Sequence, residues 1–223
     1  MGATPKLNTD GGPPTALFSF SLEREYELAR RYTGTENTEL YSARVRLADE
    51  VMRYRQTGIL TDSLLACCDH EASLAGPWSS FGRRRIAELA ADGHLAARER
   101  VEGWLVHPNA KVRIATIWGP ALRAFDRPTL LVIAERMLSD RSEAVRAKVA
   151  DIAIYENWFE LVPHIRLAAS CARNPKFRIS LFSSWFHLLE NQRTGNRGSF
   201  SSTEENRPRY EKQLAAFLNE ACG

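Results

Sequence analysis

The sequence lacks any uncharged apolar run approaching the ~18 residues of a membrane span, so an integral helical membrane protein is excluded. It also lacks a basic-then-apolar leader with a small-residue cleavage site, and a cytoplasmic location is expected. Cysteine is scarce. Cys67 and Cys68 are adjacent and Cys171 and Cys222 stand far off, a spacing that fits neither a zinc site nor a secreted disulfide framework and points to inert thiols. A phosphate-binding glycine loop, a dinucleotide fingerprint, a nucleophile elbow and a zinc motif are all missing. No cofactor, no metal and no catalytic residue is therefore expected. Alternating β-branched runs joined by tight hairpin turns are missing too, which leaves an all-α chain.

The 223 residues are 44% hydrophobic and 26% charged, the composition of an ordinary globular protein with one large or two small domains. The net charge of +3 is unevenly spread. Residues 1–80 hold 8 basic and 11 acidic side chains, residues 81–178 hold 17 and 11, and residues 179–223 hold 5 of each. The middle of the chain is thus the basic part. Lys supplies only 5 of the 30 cations, and so uniform a preference for Arg fits a compositional habit as well as a selected contact.

Residues 1–16, rich in Gly, Pro, Thr and Asn, read as a mobile arm. Residues 17–75 form an N-terminal helical segment. Leu22, Tyr26, Ala29 and Tyr32 make one apolar stripe as far as a turn at Gly34, and Leu40, Leu47, Ala48, Val51 and Met52 make a second over about 38–57. Gly58 is placed to close that helix in the left-handed region, and Thr61 to cap the next. From 76 to 191 short helical segments alternate with tight punctuation: Gly76-Pro77, Gly93, Pro108-Asn109, Asp126-Arg127-Pro128, Ser139 to Ser142, Asn157 and Asn174-Pro175. Residues 192–206 lack periodicity and read as a flexible loop. A final helix over 207–223 places Tyr210, Leu214, Phe217 and Leu218 on a stripe that caps the core.

An internal repeat is the most specific signal. Lys111-Val112-Arg113-Ile114-Ala115, Ala144-Val145-Arg146-Ala147-Lys148 and Lys176-Phe177-Arg178-Ile179-Ser180 align without gaps, their arginines 33 and 32 residues apart. Arg84-Arg85-Ile86-Ala87 is a weaker copy, with Arg85 28 residues before Arg113. Each apolar-Arg pair follows a turn that follows an apolar helix, so the unit is a helical hairpin. A hairpin this short cannot bury its apolar face alone, and neighbours must stack.

These residues resemble the HEAT-repeat family over about residues 80–190. Asp140-Arg141-Ser142-Glu143-Ala144-Val145-Arg146 looks like that family's inter-helix turn, with Asp six residues before Arg. Glu160-Leu161-Val162-Pro163-His164-Ile165 looks like its first helix with the Pro that bends it, and Arg127-Pro128-Thr129-Leu130-Leu131 is similar. The sequence departs from the pattern where His107, Ala172 and Ser79 stand in place of the Asp, and where Gly119-Pro120 should kink or end a second helix. The resemblance implies a right-handed α-solenoid of about four helical hairpins, preceded by the N-terminal segment and closed by the C-terminal helix.

Arg85, Arg113, Arg146 and Arg178 recur once per repeat. In the family they resemble, such an Arg bonds the turn of its own or a neighbouring repeat. A cationic track for phosphates or carboxylates is the functional alternative. Of Trp78, Trp104, Trp118, Trp158 and Trp185, most fall in apolar stripes, while Trp118 and Trp185 are candidate interface anchors. His70-Glu71 is similar to the pair used by metal-dependent HEAT-repeat hydroxylases, but one pair cannot complete a metal shell, and a surface His and Glu is the simpler reading. Glu156-Asn157-Trp158-Phe159-Glu160 carries a weaker likeness to HEAT-like DNA glycosylases. The expectation is a non-catalytic protein-binding scaffold, adaptor or immunity-type inhibitor. Its partner sites would be Arg85, Arg113, Arg146, Arg178, Trp118 and Trp185, facing an acidic partner surface. Nucleic-acid binding through the arginines, with or without glycosylase chemistry, is the alternative; no membrane or small-molecule partner is expected.

Overall fold

The computed structural model describes residues 38–195 and 207–220. The expected arm over 1–16, the helix from Leu22, the segment 196–206 and Cys222 lie outside the described residues. Among those described are eleven α-helices, one 3-10 turn and no strand, in agreement with an all-α chain. In chain order they are α1 (Thr38–Thr57), α2 (Asp62–Leu74), α3 (Phe81–Ala91), α4 (Leu95–Leu105), α5 (Ala110–Trp118), α6 (Pro120–Ala124), α7 (Arg127–Leu138), α8 (Glu143–Glu156), the 3-10 turn Phe159–Leu161, α9 (Val162–Ser170), α10 (Pro175–Thr194) and α11 (Arg207–Glu220). Gly119-Pro120 ends α5 and starts α6, because Pro is tolerated in a first turn but not in a helix interior. The helices fall into two compact units, one containing α1–α4 and α6, the other α5 and α7–α11.

In the first unit α1 packs on α2, α2 on α3, and α3 on both α4 and α6. Ala43, Leu47, Val51 and Tyr54, spaced by three and four residues, bury one stripe of α1; Leu40 and Met52 lie at its half-buried margin. Gly58, at φ +68°, closes the helix and donates its N–H to the Tyr54 carbonyl at 2.7 Å. Thr61 caps α2 by accepting from the Leu64 N–H at 3.2 Å. The approach of α2 to α3 depends on Gly82. A Cβ there would stand 2.1 Å from the backbone oxygen of Cys68, so any side chain would have to push the two helices apart.

In the second unit α7 with α8 and α9 with α10 are neighbouring pairs. The pairs also touch one another: α7 packs on α9 and α8 on α10, and α5 packs on α8. Val145, Val149 and Ile152 of α8 and Leu181, Phe186 and Leu188 of α10 are fully buried. Asn174 caps α10 by accepting from the Lys176 N–H at 2.9 Å, as its position before Pro175 predicts. Helix α10 runs on to Thr194, where Gly195 closes it in the left-handed region; the loop expected from 192 therefore begins later. Tyr210 of α11 rests against Phe182 and Phe186, and its hydroxyl is 2.7 Å from the Ser183 hydroxyl.

Candidate functional site

The four repeat arginines are engaged within the protein. Arg113, 4% exposed, holds Asp140 with both forks of its guanidinium at 2.8 and 2.7 Å and donates to the carbonyls of His107 and Pro108 at 2.6 and 3.0 Å. Arg178 donates twice to the Ala172 carbonyl, at 2.9 and 2.7 Å. Arg146 pairs with Glu143 at 3.2 Å, leaving its buried Nε unpartnered. In the first unit Arg85, 3% exposed, pairs with the buried Glu88. Arg113, bidentate on Asp140, joins its turn to another; Arg85 and Arg146 pair with a Glu three residues away in their own helix, and Arg178 closes the turn that precedes it.

Glu71 was expected at the surface and is wholly buried. The cause is a set of three donors: Arg44 Nε at 3.0 Å, the Ser80 hydroxyl at 2.8 Å and the Gly82 N–H at 2.9 Å. Arg44 also donates to the Ser79 carbonyl at 2.9 Å. Three donors replace the hydrogen bonds that the carboxylate loses to water on burial. His70, its neighbour in sequence, is exposed. Nearby in the same unit the hydroxyl of Tyr54 and Nε2 of His94 are 2.8 Å apart. Burial, aided by the Asp92 carboxylate, pushes the Tyr54 phenol up to about 12.

The tryptophans divide sharply. Trp158 is buried, and Trp185, 9% exposed, lies against Phe182 under the Arg166 guanidinium. Trp118 is 41% exposed and meets Tyr155, 72% exposed, edge to face with ring centroids 5.7 Å apart. Lys148 Nζ sits 4.0 Å from the centre of the Trp118 ring. The result is an aromatic ledge held in place by its own contacts.

Two clefts flank α8 and α10. One, of about 670 Å³, lies at their N-terminal ends and is lined by Arg141, Arg146 and Arg173 together with Asp140 and Glu143. Its anionic positions are filled from within, because Glu143 accepts from the N–H groups of Arg173 and Asn174 and Asp140 holds Arg113. The other, of about 550 Å³, lies at their C-terminal ends between Tyr155, Glu156, Asn157, Phe159, Asn191 and Arg127. There Arg127 is bound by both oxygens of Glu160, at 3.1 and 3.0 Å. Sequence reasoning marked Asn157 as punctuation but gave Asn191 no role, since a mid-stripe Asn becomes conspicuous only when its neighbours are known.

Among the described residues no group of three or more His, Cys, Asp or Glu could hold a metal ion. None of the described helices is long and apolar enough to cross a membrane. Cys68 is buried with its thiol pushed well above the ordinary value, chiefly by burial, while Cys171 is exposed. Compared with protein-family models, curated proteins and solved structures, the chain matches none.

Proposed function

We propose that this chain is a non-catalytic protein-binding scaffold of HEAT-like helical hairpins, stacked as a right-handed solenoid. The pairing of first helix with first (α7 on α9) and second with second (α8 on α10) supports the stacked-hairpin reading. The observation that carries the binding role is the Trp118–Tyr155 ledge. Large aromatic side chains left in water beside a packed core are the usual anchors of protein interfaces, and here their geometry is already fixed. Nucleic-acid binding would draw on arginines that are already paired. An acidic partner surface would likewise have to meet the exposed basic side chains, such as Arg141 and Arg173, rather than the buried Arg85 and Arg113.

The test is purification of the tagged full chain from its source cells with nuclease present. A stoichiometric protein partner is expected, with binding weakened at least ~10-fold by the double substitution W118A/Y155A at unchanged melting temperature. Recovery of nucleic acid alone, or a partner indifferent to both substitutions, would refute it.

A further inference from the structure

The cleft at the C-terminal ends of α8 and α10 contains polar groups that the protein leaves unused. Asn191 is only 3% exposed and its Nδ2 has no hydrogen-bond partner; Asn157 Oδ1, also buried, has none either. Both side chains line the cleft. Buried amide atoms are nearly always paired, so an unpaired donor and an unpaired acceptor in one cavity point to something that visits it. The electrostatics narrow what that is. Asn157 and Gly195 are the closing residues of α8 and α10, so two helix C-termini, with their unpaired carbonyls and negative dipole ends, meet here. Glu156 adds a carboxylate, whereas Arg127, the one cation among the described lining residues, is paired with Glu160. The charges and dipoles disfavour an anion, and the Asn191 donor is left for a neutral acceptor. Tyr155 and Phe159 supply apolar walls, and Tyr155 joins the cleft to the Trp118 ledge.

We infer that this cleft binds an extended polypeptide segment carrying a Lys or Arg. A backbone carbonyl of the segment accepts from Asn191 Nδ2, a backbone N–H donates to Asn157 Oδ1, and the basic side chain reaches Glu156 and the helix ends. The volume lies within the ~300–1,000 Å³ of ordinary ligand clefts. The inference rests on the scaffold reading and names the chemistry of its partner.

A library of random peptides displayed on phage, selected on the full chain, supplies the probe, and the enriched peptides are resynthesised with a fluorescent label for affinity measurement. Enriched sequences are expected to share a Lys or Arg. Their affinity should fall at least ~10-fold in E156K and in N191L, with the melting temperature of N191L held or raised because an unpaired buried donor has been removed. A structural role for Asn191 would instead lower it. Acidic or charge-free consensus sequences, or affinities unchanged in both variants, overturn the cleft assignment; if the same peptides depend on W118A, the scaffold reading survives that loss. No enrichment together with no stoichiometric partner removes both. A labelled oligonucleotide bound by the full chain and released by N191L would assign the cleft to nucleic acid and refute the proposal.

Discussion

Removing the Glu71 carboxylate should be among the costliest single changes in the first unit. Glu71→Ala leaves Arg44, whose side chain is 1% exposed, without its ion partner at 3.0 Å. It also withdraws the acceptor shared by the Ser80 hydroxyl and the Gly82 N–H. Breaking a buried pair from one side costs about 3–5 kcal/mol, and each stranded donor adds about 1–3 kcal/mol unless water enters. A loss of at least ~3 kcal/mol is expected, a large part of the ~5–15 kcal/mol that holds a typical domain together. For a unit of this size that corresponds to a fall in melting temperature on the order of 12 °C or more. Circular dichroism would follow the melting, and hydrogen exchange at α1–α3 amides would locate the loss in this unit. Replacing both partners with leucine should recover only part of the stability, because the burial cost of the two charges disappears while the Ser80 hydroxyl and the Gly82 N–H remain without their acceptor. A loss under ~1 kcal/mol in Glu71→Ala would show that the carboxylate is not desolvated as described, and would refute the reasoning.

Three further outcomes follow from single contacts. Gly82→Ala should cost about 1–3 kcal/mol or more by driving α3 away from the Cys68 carbonyl, measured by urea denaturation, and Gly82→Ser should be no milder. Asp140→Ala should cost about 3 kcal/mol by stranding the buried Arg113 guanidinium, and a double-mutant cycle with Arg113→Ala would isolate the coupling. The Tyr54 phenol, raised to about 12 in the folded chain, favours folding fully below the unfolded value near 10; that stability is lost as pH climbs from about 10 through 12, by on the order of 2–3 kcal/mol. Tyr54→Phe should flatten the slope between pH 10 and 12, and an unchanged slope would place the titration elsewhere.

The helices and their ends were legible because their signals are local. Gly58, Thr61, Asn174 and Gly119-Pro120 each act through their own backbone or that of residues within a few positions. What the long-range partners would be was not legible. Glu71 lies on the buried stripe of Leu64, Cys68 and Ala75, but nothing in that stripe names its partner Arg44, 27 residues away. Gly82 near the start of a helical run was a signal available to find the contact, since Gly disfavours helix interiors unless another backbone comes close. The unpaired amides of Asn157 and Asn191 belong to no motif; they matter only because α8 and α10 end side by side on one cleft.

The turns before Arg113 and Arg178 show how side-chain and backbone chemistry exchange roles. His107 and Ala172, six residues before Arg113 and Arg178, accept those guanidinium groups with their backbone carbonyls. Ser79, at the corresponding place before Arg85, offers its carbonyl to Arg44 instead. Any residue can supply a carbonyl, so the turn survives with no carboxylate for a sequence pattern to detect. Where an Asp is present, as Asp140, it takes Arg113, 27 residues earlier, rather than Arg146, six residues later, and joins two turns. Of the basic side chains in residues 81–178 only Arg85 and Arg113 are buried, each held by a carboxylate; most of the others stay at the surface, where Arg127 pairs with Glu160. The proposed binding role therefore rests on the second unit's aromatic ledge of Trp118 and Tyr155 and on the unpaired amide atoms of Asn157 and Asn191, not on the two buried arginines.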